Sequence, residues 1–283
     1  PVYSTLVLGA DTIARHGDSS LKQEYLPGVV DGSVILTAAL AEPGNSNPAA
    51  PRHTTARLDG DRWIIDGAKD MVPAAQLANA IVVSAVADDG PGLFVVDADS
   101  AGLVVTPVPS TDGQPYAEVT FAGASARRLH GDGDIVGSLY TRALVGLCAV
   151  QVGVTERALR IAASYTAERE QFGRPIGSFQ AVQQRMADAF IDTEAIRWTT
   201  WHAAWLIAEG RPAGREASIA KFWAAEAGAR VVATAQQVHG GMGIDVTYPV
   251  SRYYLWAKDI ELALGSASQQ LTRLGTAYSE GSK

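Results

Sequence analysis

The spacing of apolar positions changes twice along the 283-residue chain. Val2 to Val30 reads as helical, with Leu21 to Tyr25 as a short second helix stopped by Pro27-Gly28. From Ser33 the pattern shifts to short β-rich runs: Val34 to Leu36, Thr54 to Leu58, Trp63 to Ile65, Ala80 to Val86, Leu93 to Val96, Val104-Val105 and Glu118 to Phe121. Gly, Asp and Pro separate them, at Gly60-Asp61, Asp88 to Gly92 and Thr111 to Gly113. About seven strands so closely spaced predict a barrel or sandwich. Past a Gly- and Asp-bearing boundary at Ser125 to Gly137, everything is helical. Ser138 to Thr166, Phe179 to Glu209, Ala213 to Gln236 and Val250 to Tyr278 carry long helical patterns, the last with an internal break. Short connections make their neighbours antiparallel, as in an up-down four-helix bundle. The expected class is therefore α+β multidomain, with helical residues 1–32, a middle β-domain at 33–126 and a C-terminal helical bundle at 127–283. Trp198, Trp201 and Trp205 fall at i, i+3 and i+7 on one helix face, which reads as core or subunit contact rather than a substrate cage.

Composition narrows the function. A hydrophobic content of 47% suffices for a core, and a net charge of −7 argues against a nucleic-acid surface. The sequence holds no zinc-ligand cluster and no P-loop. The one cysteine, Cys148, lies in the apolar run LVGLCAV and is expected to be a buried structural thiol. No apolar run reaches the length of a membrane span and no signal-peptide pattern opens the sequence, so a cytoplasmic protein is expected.

Two loops carry candidate chemistry. Tyr165 to Gln180 reads YTAEREQFGRPIGSFQ and divides the first two long helices. Gly173, Pro175 and Gly177 break the helix, while Arg169, Gln171 and Phe172 offer a cation, an amide and an aromatic face. Such a set can meet a phosphate, a polar ring edge and an apolar ring together; the bland alternative is an αα-hairpin loop with a capping arginine. Gln237 to Gly243, QVHGGMG, follows the third helix, and its glycines let backbone N–H groups approach a ligand. Alone, a Gly-Gly pair there is usually a C-cap.

Taken together, R-x-Q-F-G-x-P-I-x-x-F-Q and Q-x-H-G-G-x-G resemble the C-terminal domain of acyl-CoA dehydrogenases. The likeness extends to Ala41 to Pro43, to Gly67 to Lys69 and to nearly everything after Thr141. It implies that Arg169, Gln171, Phe172, Gln180, Gln237, Gly240, Gly241 and Gly243 grip the pyrophosphate and adenosine half of an FAD whose flavin lies in a neighbouring subunit. It also makes residues 1–32 the remainder of an N-terminal helical domain whose usual first helices this sequence does not contain, through truncation, processing or omission.

The resemblance implies a second, own flavin site, and there the residues depart from the pattern. Where the family has T-E-P-x-x-G-S-D, this chain has Ala41-Glu42-Pro43-Gly44-Asn45-Ser46-Asn47-Pro48. Where it has K-x-W-I-T-N, this chain has Lys69-Asp70-Met71-Val72-Pro73-Ala74, and Pro73 offers neither hydroxyl nor N–H. Desaturation of an acyl-CoA needs a base within reach of the α-proton. The glutamate position aligns with Leu264 and the alternative on the first bundle helix with Ala143, so no catalytic residue is expected in this chain. Glu261 shares a helix face with Leu264 but sits about 5 Å along the axis; Asp259 and Glu42 are weaker stand-ins.

Loops that serve a neighbour are kept and contacts that serve the chain itself are eroded. The pattern resembles the non-catalytic subunit of actinobacterial α2β2 steroid-type acyl-CoA dehydrogenases, which implies a catalytic partner subunit, a shared FAD and an acyl-CoA bound mainly by the partner. Two alternatives stay open at this stage: a homomeric enzyme using Glu261 as base, and a flavin-free scaffold or acyl-CoA-binding protein. His239 is expected to be a structural hydrogen-bonder. His16, His53, His130 and His202 read as surface, Arg127-Arg128 as a solvated pair, and Arg252 as a possible interface residue or simple packing.

Overall fold

The computed structural model describes residues 1–281. They fall into two compact units, Pro1–Ala143 and the chain from Leu144 onward.

The first unit opens with a π-helical segment, Tyr3–Ala10, running into α1 (Asp11–His16). It lies so close to the first strand that a Cβ on Gly9 would sit 2.2 Å from Leu36 Cβ. Helix α2 (Ser19–Asp31) is capped by Asp18, whose carboxylate accepts from the Leu21 N–H at 2.8 Å, and ends at Gly32 in the left-handed region. It passes through Pro27-Gly28, contrary to the stop expected there. Pro27 is exposed, so only its own missing donor is lost, while buried Leu21 and Tyr25 hold the helix to the unit.

Seven strands follow: β1 (Leu36–Ala39), β2 (Thr55–Asp59), β3 (Arg62–Pro73), β4 (Ala80–Ala87), β5 (Gly90–Asp97), β6 (Leu103–Val108) and β7 (Tyr116–Arg128). Pairings β4–β2, β2–β3, β3–β7, β7–β5 and β5–β4 close a small barrel, with β1 added parallel to β4 and β6 antiparallel to β7. Ile65, Val72, Ile81, Phe94, Val119 and Phe121 fill it. Strand β3 is far longer than the Trp63 to Ile65 run predicts. Register shifts against β7 at Ile65/Asp66 and Lys69/Val72 break the alternation that would have marked it. The Arg127-Arg128 pair is not simply solvated. Arg127 bridges Glu24 and Asp97, and Arg128 pairs with Asp89 and lies over the Trp63 ring. His16 is half-buried rather than superficial.

Helix α3 (Ile135–Glu168) begins in the first unit and continues into the second. Contrary to the sequence reading, it contains a stretch long and apolar enough to cross a membrane by length and composition, with mean hydropathy 1.5; 56% of that stretch is buried within the fold. The second unit continues with α4 (Gln180–Ala208), α5 (Gly214–His239), α6 (Pro249–Leu262) and α7 (Ala267–Gly281). Helix α5 packs against α4, α6 and α7. Many of its buried positions are small (Ala217, Ala220, Ala224, Ala227, Gly228), which lets neighbouring backbones approach closely. Cys148 is fully buried on α3, and burial pushes its thiol up to about 12, so it is a packing residue.

Candidate functional site

The chain leaves α3 through a tight hairpin. Glu170–Gln171 (β8) pairs with Arg174–Pro175 (β9), and Phe172 (φ 54) and Gly173 (φ 78) make the left-handed turn between them. Only Gly takes that conformation without cost, so Phe172 is held there by the hairpin. Its ring is 92% exposed, edge-on to Phe179, while Arg174 lies 4.2 Å over the Phe179 ring. The Ile176 N–H donates to the Arg169 carbonyl at 2.8 Å and closes the loop on itself. Gly177 lies against the end of α3, where a Cβ would meet the Thr166 carbonyl oxygen at 2.9 Å. Arg169, Gln171, Phe172 and Gln180 are all exposed. Arg169 forms no ion pair with any described residue.

The second loop starts where α5 ends. Gly240 takes φ 58, ψ −133, a conformation open to glycine alone, and turns the chain into a 3₁₀ segment, Gly240–Ile244. Gln237, Gly240 and Gly241 are exposed, and a Cβ on either glycine would meet nothing within 4 Å. Gly243 is the exception: it is buried, and a Cβ there would strike the Gln236 carbonyl oxygen at 2.5 Å.

Helix lengths bring the loops together. Helix α4 runs 29 residues out and α5 runs 26 back. At 1.5 Å per residue these are about 43 and 39 Å, so the return nearly cancels the outward run. An aromatic contact then joins the loops: Tyr165, one turn before Arg169, stacks on His239 at 4.2 Å, and Tyr248 covers His239 at 5.2 Å. His239 Nδ1 is 2.7 Å from the Ala235 carbonyl, whereas its buried Nε2 has no protein partner. The result is one end of the helical unit carrying an unpaired guanidinium, an exposed aromatic, exposed amides and two unobstructed glycines. These fit a phosphate-bearing, ring-containing ligand reached from outside the unit. The Tyr165–His239–Tyr248 stack was not visible in the sequence; no linear spacing signals it.

The eroded segments have a different logic. Glu42 and Lys69, the retained letters of two motifs, are bonded to each other at 3.1 Å with both side chains fully buried. Glu42 also accepts from the Arg52, His53 and Thr54 N–H groups and from Asn45 Nδ2; Lys69 Nζ donates to the Leu40 carbonyl and Ser84 Oγ. Burial pushes the Glu42 pKa up, but the Arg52 N–H and the Lys69 charge outweigh it and hold the carboxyl well below its usual range. Burial lowers Lys69 to about 8 against the pull of Glu42. This carboxylate is a structural anion and is no candidate for a base. Beside it, Met71 sits at a bulge with φ 48, its N–H taken by Asp70 Oδ1 at 2.7 Å. The Pro73 carbonyl accepts from Thr37 Oγ1 at 2.5 Å. Neither residue offers a donor to a flavin ring.

Leu264 lies in the break between α6 and α7, in the left-handed region with φ 56, next to Gly265 at φ 109. Buried Lys221 fixes this turn from α5, donating to the carbonyls of Glu261 (3.2 Å) and Gly265 (2.8 Å). Gln270 Nε2 adds a contact to the Leu264 carbonyl at 3.3 Å. The turn is held firmly and carries no carboxylate at its tip. The Glu261 carboxylate is held by Lys258 Nζ at 2.7 Å, and Ala143 is fully buried. Among the described residues no cluster could hold a metal ion.

Residues 37–124 match the acyl-CoA dehydrogenase middle domain and residues 139–278 the acyl-CoA dehydrogenase C-terminal domain. The chain belongs to the acyl-CoA dehydrogenase family. It is an α+β member with a C-terminal helical domain, in a family of FAD-dependent oxidoreductases that act on CH–CH bonds. It is 39% identical to acyl-CoA dehydrogenase FadE27 of Mycobacterium tuberculosis, across 99% of this chain and 76% of the relative. Among solved structures it is 45% identical to the Tcur3481-Tcur3483 steroid ACAD, with a TM-score of 0.95 over 100% of this chain and 77% of that one. It is 40% identical to the ChsE4-ChsE5 complex of Mycobacterium tuberculosis, with a TM-score of 0.93 over 99% and 76%.

Proposed function

We propose that this acyl-CoA dehydrogenase chain is the non-catalytic subunit of a heteromeric enzyme and completes the FAD site of a catalytic partner. One observation carries the reading. The two ligand-suited loops are intact, exposed and clamped together by Tyr165 and His239, while position 264 and the Met71 to Pro73 bulge hold no group able to take a proton or bond a flavin ring. Arg169 would meet the pyrophosphate, Phe172 and Gln180 the ring system, and Gln237 with the Gly240, Gly241 and Gly243 backbone the adenosine half. Bound FAD supplies the acceptor for the hydride that leaves the acyl β-carbon. This chain contributes grip and exclusion of water; the base comes from the partner. In support, two of the solved relatives are complexes of two differently named proteins, one of them described as a steroid ACAD. The substrate class is accordingly a steroid or other bulky acyl-CoA thioester, the assembly α2β2 and the location cytoplasmic. The division into helical residues 1–32, a β-domain at 33–126 and a bundle of four antiparallel helices at 127–283 is part of the same reading.

The test is to purify the chain alone and with its co-purifying partner and to record visible spectra of both. The solitary chain is expected colourless and the complex yellow, and Arg169→Ala is expected to strip flavin from the complex without separating the subunits. One flavin per chain in the solitary preparation would reject the proposal.

A further inference from the structure

Three helix ends meet at His239. Tyr165 lies on the last turn of α3, His239 is the last residue of α5, and α6 starts from Tyr248. The imidazole is buried, stacked on the Tyr165 ring at 4.2 Å and met by the tilted Tyr248 ring at 5.2 Å. Hydrogen bonding does not account for this residue. Nδ1 carries the proton, because the Ala235 carbonyl 2.7 Å away can only accept, so the buried Nε2 is left as an acceptor without a protein donor. Half of the polar capacity is unused, while the ring itself is fully engaged.

Each end of the stack is bonded into a ligand-suited loop. The Tyr165 carbonyl accepts from the Arg169 N–H at 2.9 Å, and the Arg169 carbonyl accepts from the Ile176 N–H at 2.8 Å, so the backbone that carries Arg169 is fixed from the Tyr165 side. On the other side, His239 precedes Gly240, whose N–H donates to the Gln237 carbonyl and whose φ of 58 opens the glycine loop. That loop closes at Tyr248, whose N–H donates to the Asp245 carbonyl at 3.0 Å. Among the described residues no hydrogen bond or ion pair joins the two loops, which leaves the rings as their connection. We infer that His239 is a positioning residue that couples the loops through Tyr165 and Tyr248, so that they open and close together. The inference deepens the proposed function, and its consequence for the cofactor rests on that reading. A dinucleotide with its pyrophosphate on one loop and its adenosine on the other is then held by a single body, and ordering the first loop leaves little to order in the second.

Amide hydrogen exchange of the full chain alone reads the coupling without any ligand. His239→Leu keeps bulk and removes the ring; it is expected to speed exchange at Ile176, in the other loop, about tenfold, the equilibrium worth of one strong ring contact. Tyr165→Leu is expected to speed exchange at Gly240 by a similar factor, because coupling between two sites is reciprocal. Amides from Ala224 to Val232, in the middle of α5, are the reference and should keep wild-type protection. His239→Phe keeps the stack without either nitrogen and should restore wild-type exchange in both loops, a rescue that a hydrogen-bonding role does not allow. In the co-purified complex the two leucine variants should release flavin about tenfold faster with unchanged subunit composition, and His239→Phe should not. Faster exchange confined to the substituted loop, or equal losses with leucine and phenylalanine, would overturn the inference. Should His239→Leu also loosen the reference amides, Tyr165→Leu, at a half-buried position, decides alone. If Arg169→Ala leaves flavin bound while exchange stays coupled, the FAD reading fails and the coupling stands. If Arg169→Ala strips flavin while the leucine variants disturb neither exchange nor flavin, the coupling fails and the FAD reading stands.

Discussion

Removing Glu42 tests whether the buried Glu42–Lys69 pair serves packing or chemistry. In Glu42→Ala, Lys69 stays buried with only the Leu40 carbonyl and Ser84 Oγ, and the Arg52, His53 and Thr54 N–H groups lose their common acceptor. Breaking a buried pair while leaving one charge behind costs about 3–5 kcal/mol, a large part of an ordinary domain's stability. Urea unfolding followed by circular dichroism should show that loss, and Lys69→Met in the Glu42→Ala background should recover part of it. The pH dependence has a fixed sign. The carboxyl's pKa is lower folded than unfolded, so its contribution is complete above its ordinary value of 4.5 and disappears as pH falls through and below that value. The gap between wild type and Glu42→Ala should therefore narrow in acid. Flavin content per folded complex should not change. A loss under about 1 kcal/mol, or unaltered stability with altered flavin absorbance, would refute the structural reading.

Other perturbations have equally definite outcomes. Burial lowers Lys221 to about 8 from 10.5, so its proton is held more weakly folded than unfolded. Its contribution should make stability rise between those two pH values, and urea midpoints of Lys221→Met should lack that rise. Gly177→Ala drives a methyl into the Thr166 carbonyl and should cost about 1–3 kcal/mol in thermal unfolding. Leu264→Glu places a carboxylate in the α6–α7 turn but leaves Met71 and Pro73 in place, so on the proposed reading acyl-CoA-dependent dye reduction by the solitary chain should remain at background.

The broad layout was legible because its signals are local. The change from alternating to helical spacing marked the β-domain and the helices, and Gly173, Pro175 and Gly240 marked the loops. Elements that depend on distant partners were not. Strand β3 hid behind two bulges, and Pro27 signalled a stop that Asp18 and the burial of Leu21 and Tyr25 override. The sequence also could not show that Glu42 and Lys69 are retained for each other, that Lys221 holds the turn at Leu264, or that Tyr165 stacks on His239. Each of those contacts joins residues on separate elements, and only the packed chain brings them into register.

The near-equal outward and return runs of α4 and α5 restrict how this chain can tolerate insertions. One residue added within either helix would swing everything beyond it by about 100° and shift one loop by 1.5 Å relative to the other, pulling Tyr165 off His239. Length changes should therefore be confined to the Glu209–Ala213 turn, or occur in compensating pairs, one on each arm.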